Sequence, residues 1–155
     1  MGIDFGERRI GVALSDATGT LASPADVVTR RRGKRMPLAS LERIARSRRV
    51  EQLVVGLPLD LSGRETEWCR EVRAAGAALA ARLDLPVAFV DERMTSVVAE
   101  RAVRRPDVPR SRREEKGRVD AAAAAIILQA WLDGRGEEPS AGAARKDEAR
   151  EERDA

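Results

Sequence analysis

The 155-residue chain contains no histidine. That excludes Ser-His-Asp and Cys-His nucleophilic machinery and any His-ligated zinc. There is one cysteine, Cys69, so neither a disulfide framework nor a Cys-rich metal site can form. Cys69 reads as a small apolar residue inside a helix. Tyrosine is absent and the aromatics are Phe5, Trp68, Phe89 and Trp131. An aromatic platform for stacking bases is therefore not expected to dominate any nucleic-acid binding. No apolar run approaches the ~20 residues a bilayer span needs, and the N-terminus lacks signal-peptide character. A cytoplasmic protein with no membrane partner is expected. Catalysis, if any, must come from carboxylates, Arg, Lys or hydroxyls.

Charge is abundant. Residues 1–134 hold 24 basic and 19 acidic residues, a net +5, and residues 135–155 hold 5 and 7, a net −2. A basic globular part suits a polyanionic partner, although an Arg-rich, Ala-rich composition accounts for some of that charge without any function. The length suits one domain, expected over 1–134. Residues 135–155 are too polar to bury a core and are expected to be a disordered charged tail. No internal repeat is evident.

The stretch MGIDFGERRIGVALS organises the rest. Two short apolar runs joined by a Gly-bearing turn predict a β-hairpin. The first run ends in Asp4. A buried unpaired carboxylate is costly, so Asp4 either sits at an open strand end or is held by a partner such as a metal ion; alternatively it simply starts the turn. A third strand is expected from Thr20 to Val28, at a sheet edge because Pro24 cannot donate to the ladder. After the basic loop TRRRGK, apolar spacing predicts a helix over Met36–Arg49, with Pro37 in its first turn. Val50–Gly56 and Pro86–Val90 read as buried strands, Glu65–Leu83 as a helix between them, and Val119–Leu132 as an apolar helix. A short helix capped by Thr95 or Ser96 is expected to reach Val103, and Arg104–Arg118 reads as a mobile basic loop. Antiparallel strands followed by alternating helices and strands give an α/β fold of five strands with helices on both faces.

Three carboxylate positions are anomalous. At 100° per residue, Ala124, Ile127 and Trp131 lie within about 40° of Asp120 on the last helix. Asp120 thus heads the core-facing stripe. An Asp in a first turn is favoured by the helix dipole by about 0.3–1 kcal/mol on any face, which does not explain this one. Asp91-Glu92 stands at a strand's C-terminal end, where open α/β sheets bind ligands, though a merely acidic loop would read the same. Asp4, Asp91 or Glu92, and Asp120 together offer oxygen-only ligation, which suits Mg²⁺ or Mn²⁺. Two such ions about 3.5–4 Å apart activate water and stabilise the leaving oxygen in phosphodiester hydrolysis.

The segments MGIDFGERRIGVALSD, VVGLPLDLSG, VDERMTS and VDAAAAAIILQ resemble, in order and spacing, the motifs of the YqgF/RuvX family, across about residues 1–133. That family has an RNase H-like fold and is described both as Holliday junction resolvases and as pre-16S rRNA nucleases. The resemblance implies a mixed sheet of order 3-2-1-4-5, strands 1–3 antiparallel and strands 4 and 5 parallel to strand 1. It implies Asp4, Glu92 and Asp120 as catalytic metal ligands. The related resolvase RuvC carries an acidic residue at the end of strand 4, where this chain reads Gly56-Leu57-Pro58; the acidic pair after strand 5 replaces it. Glu92 is favoured over Asp91, which is left to orient Arg93 or its loop. Two departures stand out. Family members usually have several residues ahead of the GID motif, so a shortened first strand is expected here. Val98 stands where the family often has a Glu, so the short helix after Thr95 lacks a full capping box.

These readings converge on a metal-dependent nuclease acting on structured nucleic acid. Arg8, Arg9, the cluster Arg30, Arg31, Arg32, Lys34 and Arg35, and the segment residues Arg110, Arg112, Arg113, Lys116 and Arg118 are expected to contact phosphates. Such contacts position a substrate without specifying its sequence. On family grounds pre-16S rRNA stands first as substrate and branched DNA second, on a monomer or homodimer; a resolvase would need a two-fold dimer, and no dimer helix is legible. A catalytically silent RNA-binding assembly factor is a rival. An actin-like or sugar-kinase-like ATPase, suggested by the turn DFGERRIG, lacks its second domain and second phosphate motif.

Overall fold

The computed structural model describes residues 1–31, 33–95 and 113–134, with residues 113–118 described through their backbone. Five strands form one sheet: β1 Gly2–Phe5, β2 Arg9–Ser15, β3 Ala22–Thr29, β4 Leu53–Leu57 and β5 Val87–Asp91. Their order is β3-β2-β1-β4-β5. β1 pairs antiparallel with β2, β2 antiparallel with β3, and β4 parallel with both β1 and β5. This is the order and sense that the motifs implied. β3 lies at the edge, and its register against β2 shifts between Val12 and Ala13, next to the pairing of Ala13 with Pro24. The irregularity lets a residue without an N–H sit in the strand. β1, in the centre, has only four residues against seven in β2.

Strand alternation sorts the sheet into two unlike faces. Ile3, Phe5, Ile10, Val12, Leu53, Val55, Leu57 and Phe89 pack against α1 (Leu38–Ser47) and α2 (Glu67–Leu83), which contribute Leu41, Ala45, Cys69, Val72 and Leu79. Cys69 is fully buried within α2, as its composition predicts. α2 begins at Thr66, whose Oγ1 accepts a hydrogen bond from the Cys69 amide at 3.2 Å. It ends at Asp84 in the left-handed region, φ 53°. Pro37 stands one place before α1 rather than inside its first turn, which satisfies the same missing N–H.

The other face is lined by small residues. Gly2, Gly11, Ala13, Val54, Gly56 and Val90 meet α3, Arg113–Leu132, through Ala123, Ala124, Ile127 and Leu128. Small residues on both partners let the helix axis lie close to the sheet. α3 starts six residues before the expected Val119, so residues 113–118 belong to a helix and not to a loop. Glu114 and Glu115 favour the positive end of the helix dipole, and Arg, Glu and Lys are good helix formers. The expected short helix after Thr95, the rest of the basic segment 104–112 and the tail 135–155 lie outside the described residues. Among the described residues, no helix is long and apolar enough to cross a membrane.

Candidate active site

Asp4 belongs to the strand face that meets α3, because its neighbours Ile3 and Phe5 take the other side. It is 3% exposed. The antiparallel register sets Asp4 opposite Gly11. On its other side, β1 and β4 pair Ile3 with Val55, so Asp4 and Gly56 adjoin one step further on. A glycine thus flanks the carboxylate in both neighbouring strands, and each glycine makes room for a different acidic residue.

At Gly11 the space is taken by α3. A Cβ there would lie 1.9 Å from the Asp120 carbonyl oxygen and 2.4 Å from its carbon. The backbone of Asp120 therefore rests directly on β2, beside Asp4. The Asp120 side chain is a quarter exposed, and Arg9 Nε stands 3.7 Å from its Oδ2. Arg9, expected at phosphate, is thus also an ionic neighbour of a candidate ligand.

At Gly56 the space is taken by Glu92. A Cβ at position 56 would lie 3.0 Å from Glu92 Oε1 and 2.6 Å from Ile127 Cδ1. Glu92 follows β5 as the first residue of a 3-10 turn, Glu92–Met94, and is 5% exposed. Its carboxylate reaches from strand 5 onto the place where a strand-4 side chain would stand. This is a physical reason why Gly56 can accompany an acidic residue after β5.

Asp91 has different company. Its Oδ1 accepts from the Arg93 amide at 2.9 Å, and its carboxylate accepts from Arg93 Nε at 3.1 Å and Nη2 at 2.6 Å. That carboxylate, hydrogen-bonded first and charge-paired second, raises the affinity of Arg93 for its proton. The guanidinium reaches on to the β4–α2 loop, 3.0 Å from where a Cβ of Gly63 would be. Asp91 therefore braces Arg93 and this loop, while Glu92 faces Gly56.

The structure gathers Asp4, Glu92 and Asp120 on one face and at one end of the sheet. Among the described residues, no three His, Cys, Asp or Glu side chains close into a ready ligand cluster. The donor chemistry nevertheless fits a hard divalent cation, since Mg²⁺ is commonly held through one or two carboxylates and keeps several waters. Asp4 and Glu92 are the buried pair and Asp120 the more exposed third.

Basic residues crowd the same end. Arg9 pairs with Thr29, and the Arg30 amide donates to the Arg8 carbonyl at 2.8 Å. The hairpin turn and the β3–α1 loop are thereby joined, bringing Arg8, Arg9, Arg30, Arg31, Lys34 and Arg35 into one region. Arg30 lies over the Trp68 ring at 5.5 Å and donates to the Lys34 carbonyl. Arg32, Arg110 and Arg112 lie outside the described residues. Arg113, Lys116 and Arg118 stand in the first two turns of α3, without described side chains. A cavity of about 620 Å³ lined by Met1, Ser15, Arg49 and Trp131 lies at the opposite end of β1 and has no part in this cluster.

Sequence reasoning missed Gly11 and Gly56. A glycine inside a strand often marks a close approach by another group, and both sit within the quoted motifs. The pairing of Asp91 with Arg93 is the one the sequence offered; the approach of Arg93 to Gly63 is not legible there.

Comparison with known proteins agrees with this architecture. The RuvX family, described as Holliday junction resolvase, matches residues 1–134. A Thermosynechococcus vestitus protein is 43% identical over 135 residues, covering 87% of each chain, and an Anaeromyxobacter protein is 44% identical, covering 87% of this chain and 96% of its own. Both are named "Putative pre-16S rRNA nuclease". Among solved structures, T. thermophilus RuvC in complex with Holliday junction substrate superposes with a TM-score of 0.50 at 16% identity, over 88% of this chain and 97% of that one. That likeness shows a common RNase H-like fold.

Proposed function

The chain belongs to the RuvX family, and from that premise we propose that it is a metal-dependent nuclease that processes the 5′ end of pre-16S rRNA. The observation that carries the reading is the pair of buried carboxylates, Asp4 and Glu92, at the end of the sheet where the basic turn and loop converge. Relatives at 43–44% identity carrying the rRNA nuclease name support the substrate.

In this reading Asp4 and Glu92, with Asp120, hold Mg²⁺ or Mn²⁺. When bound, such an ion lowers the pKa of a coordinated water and offsets charge on the leaving oxygen. The chain's own groups do the rest. Asp4, fixed between two glycines on the central strand, is the rigid anchor. Glu92 is positioned by the turn that Asp91 and Arg93 brace. Arg8, Arg30, Arg31, Lys34 and Arg35, with Arg32 and the segment carrying Arg110, Arg112, Arg113, Lys116 and Arg118, draw the phosphate backbone to that end. Arg9 would exchange its contact with Asp120 for phosphate as Asp120 turns to the ion. Residues 1–134 form the catalytic domain, and 135–155 a tail outside it, in a cytoplasmic protein.

The family description favours a second reading, a Holliday junction resolvase. The test is cleavage of two labelled substrates with Mn²⁺, a 16S rRNA 5′ precursor and a four-way DNA junction. Cleavage of the RNA alone, lost in Asp4→Asn and Glu92→Gln, is expected. Paired symmetric nicks in the junction would move the resolvase to first place. Binding without cleavage of either substrate would favour an assembly factor.

A further inference from the structure

The α1–α2 face of the sheet carries an arginine and an aromatic ring that the carboxylate chemistry leaves unused. Arg30 follows β3 directly, and its guanidinium carbon stands 5.5 Å from the centroid of the Trp68 ring. Its Nε and Nη2 donate to the Lys34 carbonyl at 2.9 and 2.8 Å. Trp68 is the second residue of α2 and packs against the core. The guanidinium is thus fixed by a carbonyl and a ring, neither of them charged. Other arginines are paired with carboxylates: Arg9 with Asp120, Arg46 and Arg82 with Glu42, Arg73 with Glu65 and Arg93 with Asp91. Among the described residues no carboxylate pairs with Arg30. Arg30 is only half-buried, so a rigidly held cation meets solvent here.

Arg30 also lines a groove of about 580 Å³ between the start of α1 and the outer side of α2. Ala39, Ala74 and Ala75 line it too, and their small side chains leave the space open. Its charged residues are Arg30, Arg35, Glu71 and Arg82. Arg82 is paired with Glu42, which leaves two arginines against one glutamate, a balance that suits a polyanion. The volume is that of a drug-sized ligand, enough for about one or two nucleotides and not for a duplex. The Arg30 amide donates to the Arg8 carbonyl, so the groove adjoins the hairpin turn at the carboxylate end. By register, Arg30 lies two strands across and three residues along from Asp4, about 14 Å by the spacings of a sheet. Asp4 faces α3 while Trp68 packs on the opposite face. The groove is therefore next to the candidate active site and separate from it.

We propose that Arg30, backed by Trp68, is a stacking clamp for an unpaired nucleotide of a single-stranded RNA flank, whose phosphates run into the α1–α2 groove toward Arg35. The proposal deepens the nuclease reading and rests on it. Unstacked RNA bases stack on aromatic rings and on guanidinium planes, and Arg30 over Trp68 combines the two. Because the Lys34 carbonyl already fixes the guanidinium, little side-chain freedom is lost on binding. The clamp would make a stem with an unpaired flank a better substrate than a blunt duplex. It positions the substrate and takes no part in the hydrolysis.

The experiment uses the full chain with Ca²⁺ replacing Mg²⁺, to allow binding without turnover. The probes are an RNA stem with a short unpaired flank, the same stem blunt-ended, and the flanked stem with abasic flank nucleotides. Wild type is expected to bind the flanked stem about tenfold tighter than the blunt one, the effect of one stacked base. The abasic flank, which keeps its phosphates, is expected to lose most of that gain. Tryptophan emission should fall with the flanked stem only, since the other tryptophan, Trp131, lines the cavity at the opposite end of β1. Trp68→Leu keeps an apolar side chain against the core, and Arg30→Lys keeps the charge without the plane. Each should bring the flanked-to-blunt ratio below about threefold; a merely structural role for Trp68 would weaken both stems alike. Equal wild-type binding of flanked and blunt stems, an abasic flank that binds as well as the intact one, or a flank gain untouched by Arg30→Lys overturns the clamp and leaves the nuclease reading standing. No binding of any stem by wild type overturns both.

Discussion

Replacing Gly11 with alanine probes the seat of α3 on the sheet. The added Cβ would stand 1.9 Å from the Asp120 carbonyl oxygen, 2.4 Å from its carbon and 3.0 Å from the Ala121 nitrogen. An unstrained C···O contact is about 3.3–3.6 Å, so the helix must retreat by about 1.4 Å. All three obstructing atoms are backbone, and no rotamer change relieves them. Overpacking typically costs 1–3 kcal/mol, and with backbone on both sides about 3 kcal/mol is expected. For a domain of this size that lowers the melting temperature by about 10 °C. Urea unfolding followed by far-UV circular dichroism measures it. Gly56→Ala is the internal comparison. Its Cβ meets the flexible end of Ile127 at 2.6 Å and Glu92 Oε1 at 3.0 Å, both of which can rotate away, so about 1 kcal/mol is expected. The same rotation moves a candidate ligand, and misplacement by about 1 Å can cost 10²-fold in rate. Gly56→Ala should therefore be nearly as stable as wild type and far less active. A Gly11→Ala loss below about 1 kcal/mol, or a larger loss at Gly56, would refute the packing argument.

Other perturbations have defined outcomes. Burial lowers the Met1 amine from 8.0 to about 6. Between those values the unfolded chain binds more protons than the folded one, so stability rises with pH from about 6 to 8, by at most about 2–3 kcal/mol, and is flat outside that window; urea midpoints across pH check this, and residues appended ahead of Met1 should abolish the slope. Thr66→Ala removes the cap that accepts from the Cys69 amide and should cost about 1 kcal/mol in the same assay. Arg93→Ala leaves the buried Asp91 carboxylate without its guanidinium and should lower the urea midpoint, with Arg93→Lys only partly restoring it, because a point charge cannot reproduce the two-nitrogen contact. If the carboxylates hold a cation, Mn²⁺ at 100 times its Kd should stabilise wild type by about 2.7 kcal/mol, and Asp4→Asn should show little of that gain in a thermal melt.

The parts legible in sequence were those written in short-range pattern. The hairpin is spelled by two apolar runs around Gly6, and Asp4 is conspicuous because it ends an apolar run. The stripe through Ala124, Ile127 and Trp131 aimed Asp120 at the sheet. What stayed hidden depends on two elements meeting. Nothing local says that Gly11 receives the backbone of α3, or that Gly56 receives Glu92, since a glycine reads alike in a bulge, a turn or a close contact. Asp91 and Glu92 are adjacent and chemically equivalent in composition and spacing; the family resemblance separated them, favouring Glu92 and leaving Asp91 to Arg93, and the contacts of Glu92 at Gly56 and of Asp91 with Arg93 follow that division. The start of α3 was set too late because Arg113–Arg118 is polar, and polarity alone does not distinguish a solvated helix turn from a loop. The family motifs supplied the sheet order, which composition and spacing do not contain.

The most direct test of the central claim is single-turnover cleavage of a 5′-labelled 16S rRNA precursor by wild type and Asp4→Asn, with and without Mn²⁺. The account predicts cleavage by wild type only with the metal, and a loss of at least about 10²-fold in Asp4→Asn with RNA binding retained. Equal cleavage by both proteins, or metal-independent cleavage by wild type, would contradict it.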